Sequence, residues 1–342
     1  MSLHPPRPAE ALAQAHWFPV DLDVSAALVH FLPLTDQTVA EASFLDNRLD
    51  LPWDQAQAMP VAALSTAAMA EATPFGFLFH TSFCCSTLLA RALHLGPSAT
   101  VLREPLVLRR LGDARFADRD IQALLPTVAR LLARPWSDSG AVLVKPTHAA
   151  LSLGADLLGV LPQARGLVLT STLDDFLLSN LKKTAETQAR VPALVERAMA
   201  ACNLVDRLGP AAFDPPDFLA TVALQWAAQQ ELIGAWLGGA QRTRLRVLQE
   251  RALLAEWPDS VLRVADWFDW PVDRDALRAH AGQVGQRHAK AEQRAFDAGQ
   301  REQEAARLRS HYRPELERAL DWAQRHLLPS MRSPALLAAA RL

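Results

Sequence analysis

The rhythm of apolar positions changes at about residue 74. Over 1–70 the pattern is loose. Residues 27–34 (ALVHFLPL) read as a strand, and Asp46-Asn47 as a turn. From Pro74 onward, short and continuously apolar runs alternate with stretches of helical spacing. The runs at 75–80 (FGFLFH), 99–102, 140–144 (GAVLV), 166–170 (GLVLT) and 245–248 predict five strands. Helices are predicted over 86–95 (STLLARALHL), 121–132, 149–161, about 173–183 and 258–268, with a long helical region over roughly 191–236. Beyond 287 the charges are of mixed sign. There Leu308, Tyr312, Leu316, Leu320 and Leu327 keep helical spacing, and Pro314 suits the first turn of a new helix.

Strands without polar alternation are buried on both faces, and helices between them imply parallel crossovers. The expected fold class is therefore α/β, a three-layer parallel sheet flanked by helices. The expected organisation is an N-terminal extension packed on the core (1–70), the α/β core itself (71–286) and a C-terminal helical tail (287–342).

Composition narrows the function classes. The chain has 342 residues, a net charge of −2, half its residues hydrophobic and 21% charged, which excludes a collagen-like or wholly disordered chain. No apolar run reaches the length of a membrane span, and residues 1–15 lack the apolar segment of a secretory signal. Cys84, Cys85 and Cys202 cannot build a disulfide framework, which fits a reducing, cytoplasmic setting. A near-neutral charge gives no field for general nucleic-acid binding. Only four lysines (Lys145, Lys182, Lys183 and Lys290) stand against 31 arginines. A coding bias towards arginine accounts for the ratio but not for where the lysines fall.

Ligands of open parallel sheets bind at the carboxyl ends of strands. The segment to inspect is His80-Thr81-Ser82-Phe83-Cys84-Cys85-Ser86-Thr87, which follows the first core strand and opens a helix. Its small and hydroxyl-bearing residues suit an anion such as phosphate or sulfate, and they equally suit an ordinary helix cap. It is not a nucleoside-triphosphate loop of the Walker type, because Cys85 stands where the second glycine would be and Ser86 where the lysine would be. Cys85 and Arg91 have the spacing of a cysteine phosphatase loop, but Leu88-Leu89-Ala90 between them belong to a helix core. Adjacent cysteines also lack the paired spacing of a zinc site, so both read as packing residues and no metal site is expected.

The string FLFHTSFCCSTLLARAL (77–93) resembles the 5′-phosphosulfate loop of the sulfotransferase family. Leu102-Arg103-Glu104-Pro105 is similar to that family's Glu-Pro segment. Residues 161–165, the fourth strand and 174–179 resemble the stretch ending in the serine of the 3′-phosphate site, and 250–270 resembles its late segment. The resemblance covers about 75–290. It departs from the family at Phe83, usually Lys or Arg, at Cys85, usually Gly, and at Ser171, where the family has an arginine.

What the resemblance implies is sulfuryl transfer from 3′-phosphoadenosine 5′-phosphosulfate (PAPS) to a hydroxyl or amine of a small-molecule or carbohydrate acceptor. Ser82, Phe83, Cys84, Cys85, Ser86 and Thr87 would hold the 5′-phosphosulfate, and Ser179, with Ser171 at the position of the missing arginine, the 3′-phosphate. Arg287 and Lys290, or Lys182 and Lys183, would replace the absent cations. Glu104, directly after the second core strand, is the candidate base. Lys145, ending the third, would contact the transferring group, and His148 and His80 are further catalytic candidates. Two other readings stay open on the same fold: a non-catalytic anion- or nucleotide-binding module, and a small-molecule kinase.

Overall fold

The computed structural model describes residues 13–65, 74–138, 140–288, 291–295 and 298–342; the side chains of 287–302 fall outside that description. The strands are β1 (Trp17–Asp23), β2 (Leu28–Pro33), β3 (Gln57–Pro60), β4 (Phe75–His80), β5 (Ala99–Arg103), β6 (Ala141–Lys145), β7 (Arg165–Thr170), β8 (Leu245–Gln249), β9 (Arg287–His288) and β10 (Ala291–Ala295). Numbering helices of six residues or more gives α1 (Asp36–Glu41), α2 (Ser86–Ala92), α3 (Leu106–Phe116), α4 (Leu125–Leu132), α5 (Gly154–Val160), α6 (Leu173–Leu181) and α7 (Val191–Ala200). Then follow α8 (Phe218–Gly238), α9 (Glu250–Ala255), α10 (Asp259–Trp267), α11 (Arg274–Gly285), α12 (Ala298–His311), α13 (Arg313–His326) and α14 (Ser333–Ala339).

The five core strands are where the apolar runs place them. They form one parallel sheet in the order β5-β6-β4-β7-β8. Helices cover both faces, so the fold is α/β with a parallel five-stranded sheet between helical layers. Alternation along each strand feeds two cores. Phe77, Phe79, Val142, Val144 and Val168 join the larger one, while Leu78, Ala141, Leu143, Leu167 and Leu169 join the smaller one with α10 and α11. Gly76 in the central strand is part of that fit: a Cβ there would lie 2.3 Å from the Phe268 ring. Gly76→Ala is expected to cost about 2–3 kcal/mol by overpacking, read as a shift of the urea midpoint at unchanged slope.

The longest helical expectation needs correction. Residues 191–236 hold not one helical region but α7 and α8, separated by turns and two single 3-10 turns. Pro210, Pro215 and Pro216 sit in that gap, and a ring without an N–H cannot continue a helix interior. The helix expected from 121 begins at Leu125, and that expected from 149 is a 3-10 turn (His148–Leu153) followed by α5. Pro314 does occupy the first turn of α13.

The outer segments share the main core. An antiparallel sheet β1-β2-β3 packs through β1 against α3 and α4, and Phe18, Val20, Val29 and Phe31 are buried in it. Two buried arginines pin this part. Arg103 at the end of β5 donates to the carbonyls of Val39, Ala40 and Ala42 at the end of α1, and Arg134 donates to those of Gln14 and Trp17. At the other end α13 buries Leu316, Ala319, Trp322 and Ala323. Residues 340–342 pair with Val247 along β8, covering that sheet edge. No helix among the described residues is long and apolar enough to cross a membrane.

Candidate functional site

The sheet order puts the change of winding direction at β4. Its neighbours β6 and β7 are reached by excursions to opposite sides, which makes the carboxyl end of β4 the switch point, the place where open parallel sheets bind their ligands. All five strands bring a polar group there: His80 from β4, Glu104 after β5, Lys145 from β6, Thr170 and Ser171 from β7, and Glu250 after β8. Each of these except Glu104 is among the buried polar residues.

Glu104, Lys145 and His80 form one cluster. The Glu104 N–H extends the ladder to the Lys145 carbonyl at 2.7 Å, and its backbone then turns left-handed, with φ 54°. The Lys145 ammonium, fully buried, pairs with the Glu104 carboxylate. Burial pushes the Glu104 carboxyl up, but Lys145 beside it, with His80 next, holds it down to about 2. The carboxylate is therefore ionised and occupied by the Lys145 ammonium, a firm fixed charge.

His80 differs in having a ring nitrogen that no partner occupies. Its Nδ1 lies 2.9 Å from the Thr81 carbonyl, an acceptor only, so Nδ1 carries the proton and donates. Nε2 is left with its lone pair, buried and without a hydrogen-bond partner, 3.8 Å from Glu104 Oε1. Burial first, and the Lys145 charge second, push the imidazole down to about 3. It is a neutral acceptor over the whole physiological range. The His148 ring stands 6.2 Å from that of His80, half-buried at the head of the turn after β6.

The loop 81–85 turns left-handed twice, at Phe83 (φ 62°) and at Cys85 (φ 61°). Cys85 thus adopts the backbone conformation that favours glycine. Thr81, Ser82, Ser86 and Thr87 are buried, and Thr81 Oγ1 and Ser82 Oγ have no hydrogen-bond partner. From β7, Ser171 Oγ is buried and likewise unpartnered. Buried hydroxyls normally find partners, so three unmet ones in adjoining connections make this turn the candidate place for a polar ligand. Cys84 packs as expected: its thiol donates to the Thr81 and Leu169 carbonyls, and burial pushes it up to about 11. Cys85 Sγ donates to Glu250 at 3.4 Å.

The remaining sequence candidates divide. Ser179 is half-buried on α6, eight residues beyond Ser171. Lys182 pairs with Glu304 at 2.7 Å, whereas Lys183 places its ammonium over the Phe83 ring, 4.3 Å from the centroid. Arg287 pairs by its backbone with Ala295; its side chain, and Lys290 altogether, lie outside the described residues.

Sequence reading missed two contributors from the N-terminal segment. Leu45 exchanges backbone hydrogen bonds with the Arg103 carbonyl and the Leu106 N–H, which lays residues 43–49 beside Glu104. Arg48 reaches Glu104 Oε2 at 4.0 Å while bonding Asp46, and its guanidinium stacks on Phe44, whose ring also faces the Lys145 ammonium at 6.0 Å. No local motif marks them. The only signal in the sequence is an arginine beside a turn in a segment without a strong helical or strand pattern.

No protein-family model matches the chain, and no curated protein sequence matches it. Among solved structures the chain is similar to a sulfotransferase domain from the curacin biosynthetic pathway, with a TM-score of 0.36 and 10% identity, over 64% of this chain and 80% of that one.

Proposed function

We propose that the protein is a sulfotransferase-like enzyme that moves a sulfuryl group from PAPS to a hydroxyl or amine of a small-molecule or carbohydrate acceptor. The observation that carries the reading is the buried cluster at the carboxyl ends of β4, β5 and β6. There a neutral histidine with an open lone pair adjoins a carboxylate–ammonium pair, next to a turn with unmet hydroxyls. Transfer of an anionic group needs those parts: a fixed cation near the transferring oxygens, an acceptor for one proton, and donors that hold the anion.

The unmet hydroxyls of Thr81, Ser82 and Ser171 fit a phosphosulfate-bearing nucleotide as donors, and Ser86 and Thr87 extend the same turn. Such a nucleotide supplies an activated sulfuryl group. The chain's residues do the rest. His80 Nε2 accepts the proton of the acceptor's hydroxyl or amine, and Glu104, 3.8 Å away, stabilises the imidazolium so formed. Lys145 fixes Glu104 and contributes positive charge to the transferring group, and His148 lies next to His80 as a second imidazole. Ser179 would contact the 3′-phosphate, as would Arg287 and Lys290.

A second reading, a non-catalytic anion-binding module, is favoured by Phe83, which leaves the turn itself without a cation. Calorimetry with 3′-phosphoadenosine 5′-phosphate tests the nucleotide assignment. Binding at micromolar concentration is expected, and no heat at millimolar ligand would remove PAPS from the proposal. Binding in wild type, with transfer to a test alcohol that disappears in His80→Gln, separates enzyme from module.

A further inference from the structure

We infer that the narrow cavity between the turn after β6, α7 and α8 receives a second hydroxyl of the acceptor, read by the side-chain amide of Gln229. The inference rests on the proposed transfer reaction and narrows its acceptor to a molecule with two hydroxyls joined by an aliphatic arm.

The cavity holds about 20 Å³, room for one water-sized group. Its walls are mostly apolar. Leu151 comes from the turn after β6, Leu194 and Ala198 from α7, and Leu232 from α8. Gln229 lines it too, one turn before Leu232 on the same face of α8. Gln229 is 3% exposed, and its Oε1 has no hydrogen-bond partner. A buried amide oxygen left unmet costs stability, so one on a cavity wall calls for a donor from a guest.

The bonds of neighbouring residues fix where Gln229 stands. The Trp226 indole N–H donates to the Ser171 carbonyl at 3.0 Å, and the Gln230 amide donates to the Thr170 hydroxyl at 2.7 Å. They hold this turn of α8 against the carboxyl end of β7. His148 joins the cavity to the reactive cluster, since it lines the cavity and its ring stands 6.2 Å from that of His80. An acceptor with one hydroxyl at His80 therefore has the cavity next to it.

The wall chemistry selects the kind of guest. No lining residue among the described residues is acidic, and Arg197 already donates to the Ala149 carbonyl at 2.8 Å and to Asp113 at 2.5 Å. An ammonium would enter without a counter-charge, and a carboxylate would meet Oε1 acceptor to acceptor. A hydroxyl is neutral and donates to Oε1, and the methylenes beside it suit the apolar walls.

The test compares transfer from PAPS to a series of straight-chain terminal diols and to the mono-alcohols of equal length. It is read as the ratio of kcat/KM, diol over mono-alcohol, within each protein, so that a general change in rate cancels. In wild type the ratio should exceed about 10 for at least one length, because the mono-alcohol leaves Gln229 unmet. In Gln229→Leu, and in Ala198→Leu, which fills the cavity from α7, it should fall to about 2, the statistical factor for two equivalent ends. The ligand-free melting temperature of Gln229→Leu should be unchanged or higher, since an unmet buried amide is removed. A wild-type ratio of about 2 at every length would mean that the cavity holds water alone, which overturns the inference and leaves the transfer reaction standing. A high ratio retained by Gln229→Leu overturns the role of Gln229. No transfer to any alcohol by wild type overturns the reaction reading and this inference with it.

Discussion

Replacing Lys145 by methionine is expected to cost about 3–5 kcal/mol of folding stability, far more than the loss of its aliphatic stem explains. The lysine is fully buried and its ammonium is paired with Glu104, a residue that burial alone would push towards neutrality. Taking away Lys145 leaves Glu104 as a largely buried charge with only the more distant Arg48 opposite it, and that is the expensive step. Removing both should be mild. The double variant Glu104→Gln/Lys145→Met is expected to recover most of the loss, with a coupling energy of about 2–3 kcal/mol across the four-member cycle. Urea unfolding of the four proteins measures it. A Lys145→Met penalty below about 1 kcal/mol would show that the pair is not held in the folded protein. In the proposed reaction the pair fixes charge near His80, so both single variants should also lower the transfer rate, by about 100-fold or more.

Stability should fall steeply on the acid side of neutrality, well before ordinary carboxylates titrate. Two buried histidines cause it. His80 is pushed down to about 3 by burial and then by Lys145, with Glu104 opposing and His148 adding to the push. His94 is pushed down to about 3 by burial, then by Arg103, His280 and Arg91. Its Nδ1 accepts from the Val101 N–H at 3.1 Å, so a proton there would displace a backbone hydrogen bond. Both groups have a folded pKa below the unfolded one. The unfolded chain therefore binds more protons below about 6.5, and stability is complete above that pH and lost as the pH falls towards 3. At pH 4.5 each histidine has lost about 2 units of that difference, about 2.7 kcal/mol, giving about 5 kcal/mol for the two. Glu104, held down to about 2, adds its share only below about 4.5. Urea midpoints at pH 7, 5.5 and 4.5 read the slope. His94→Gln, remote from the proposed chemistry, should halve it, and a flat profile between pH 7 and 4.5 would refute the buried neutral histidines.

Much of the architecture was legible because it depends on local periodicity. Strands apolar on every residue are stable only between two helical layers, so FGFLFH, GAVLV and GLVLT announced a parallel sheet before any strand was paired. Helix extent was less legible where apolar content stayed high and backbone chemistry decided instead, as in the proline-interrupted stretch between α7 and α8.

The candidate site shows a similar division. Its axial positions, at the ends of strands, follow from the sequence: His80, Glu104 and Lys145 close three of the predicted strands, and a parallel sheet puts all such ends on one edge. Which ends become neighbours does not follow, because strand order is a long-range choice. Only the order β5-β6-β4 sets Glu104 against Lys145 and His80. Arg48, Phe44 and Glu250 arrive from segments far away in the chain. The two adjacent lysines, identical in sequence terms, part company because Glu304 faces one and the Phe83 ring faces the other.

The four lysines show what each level decides. Composition makes them conspicuous, and periodicity puts Lys145 at a strand end and Lys182 and Lys183 at a helix end. The amino-acid sequence by itself determined the layers, the strand edge and the hydroxyl-rich turn, since these rest on contacts within one element or between an element and its flanks. Tertiary structure alone decided that one lysine is consumed by a buried carboxylate, a second by a surface one, and a third held over an aromatic ring. Charge partners are set by distances of a few ångströms between residues dozens to more than a hundred positions apart, and no local pattern encodes such distances.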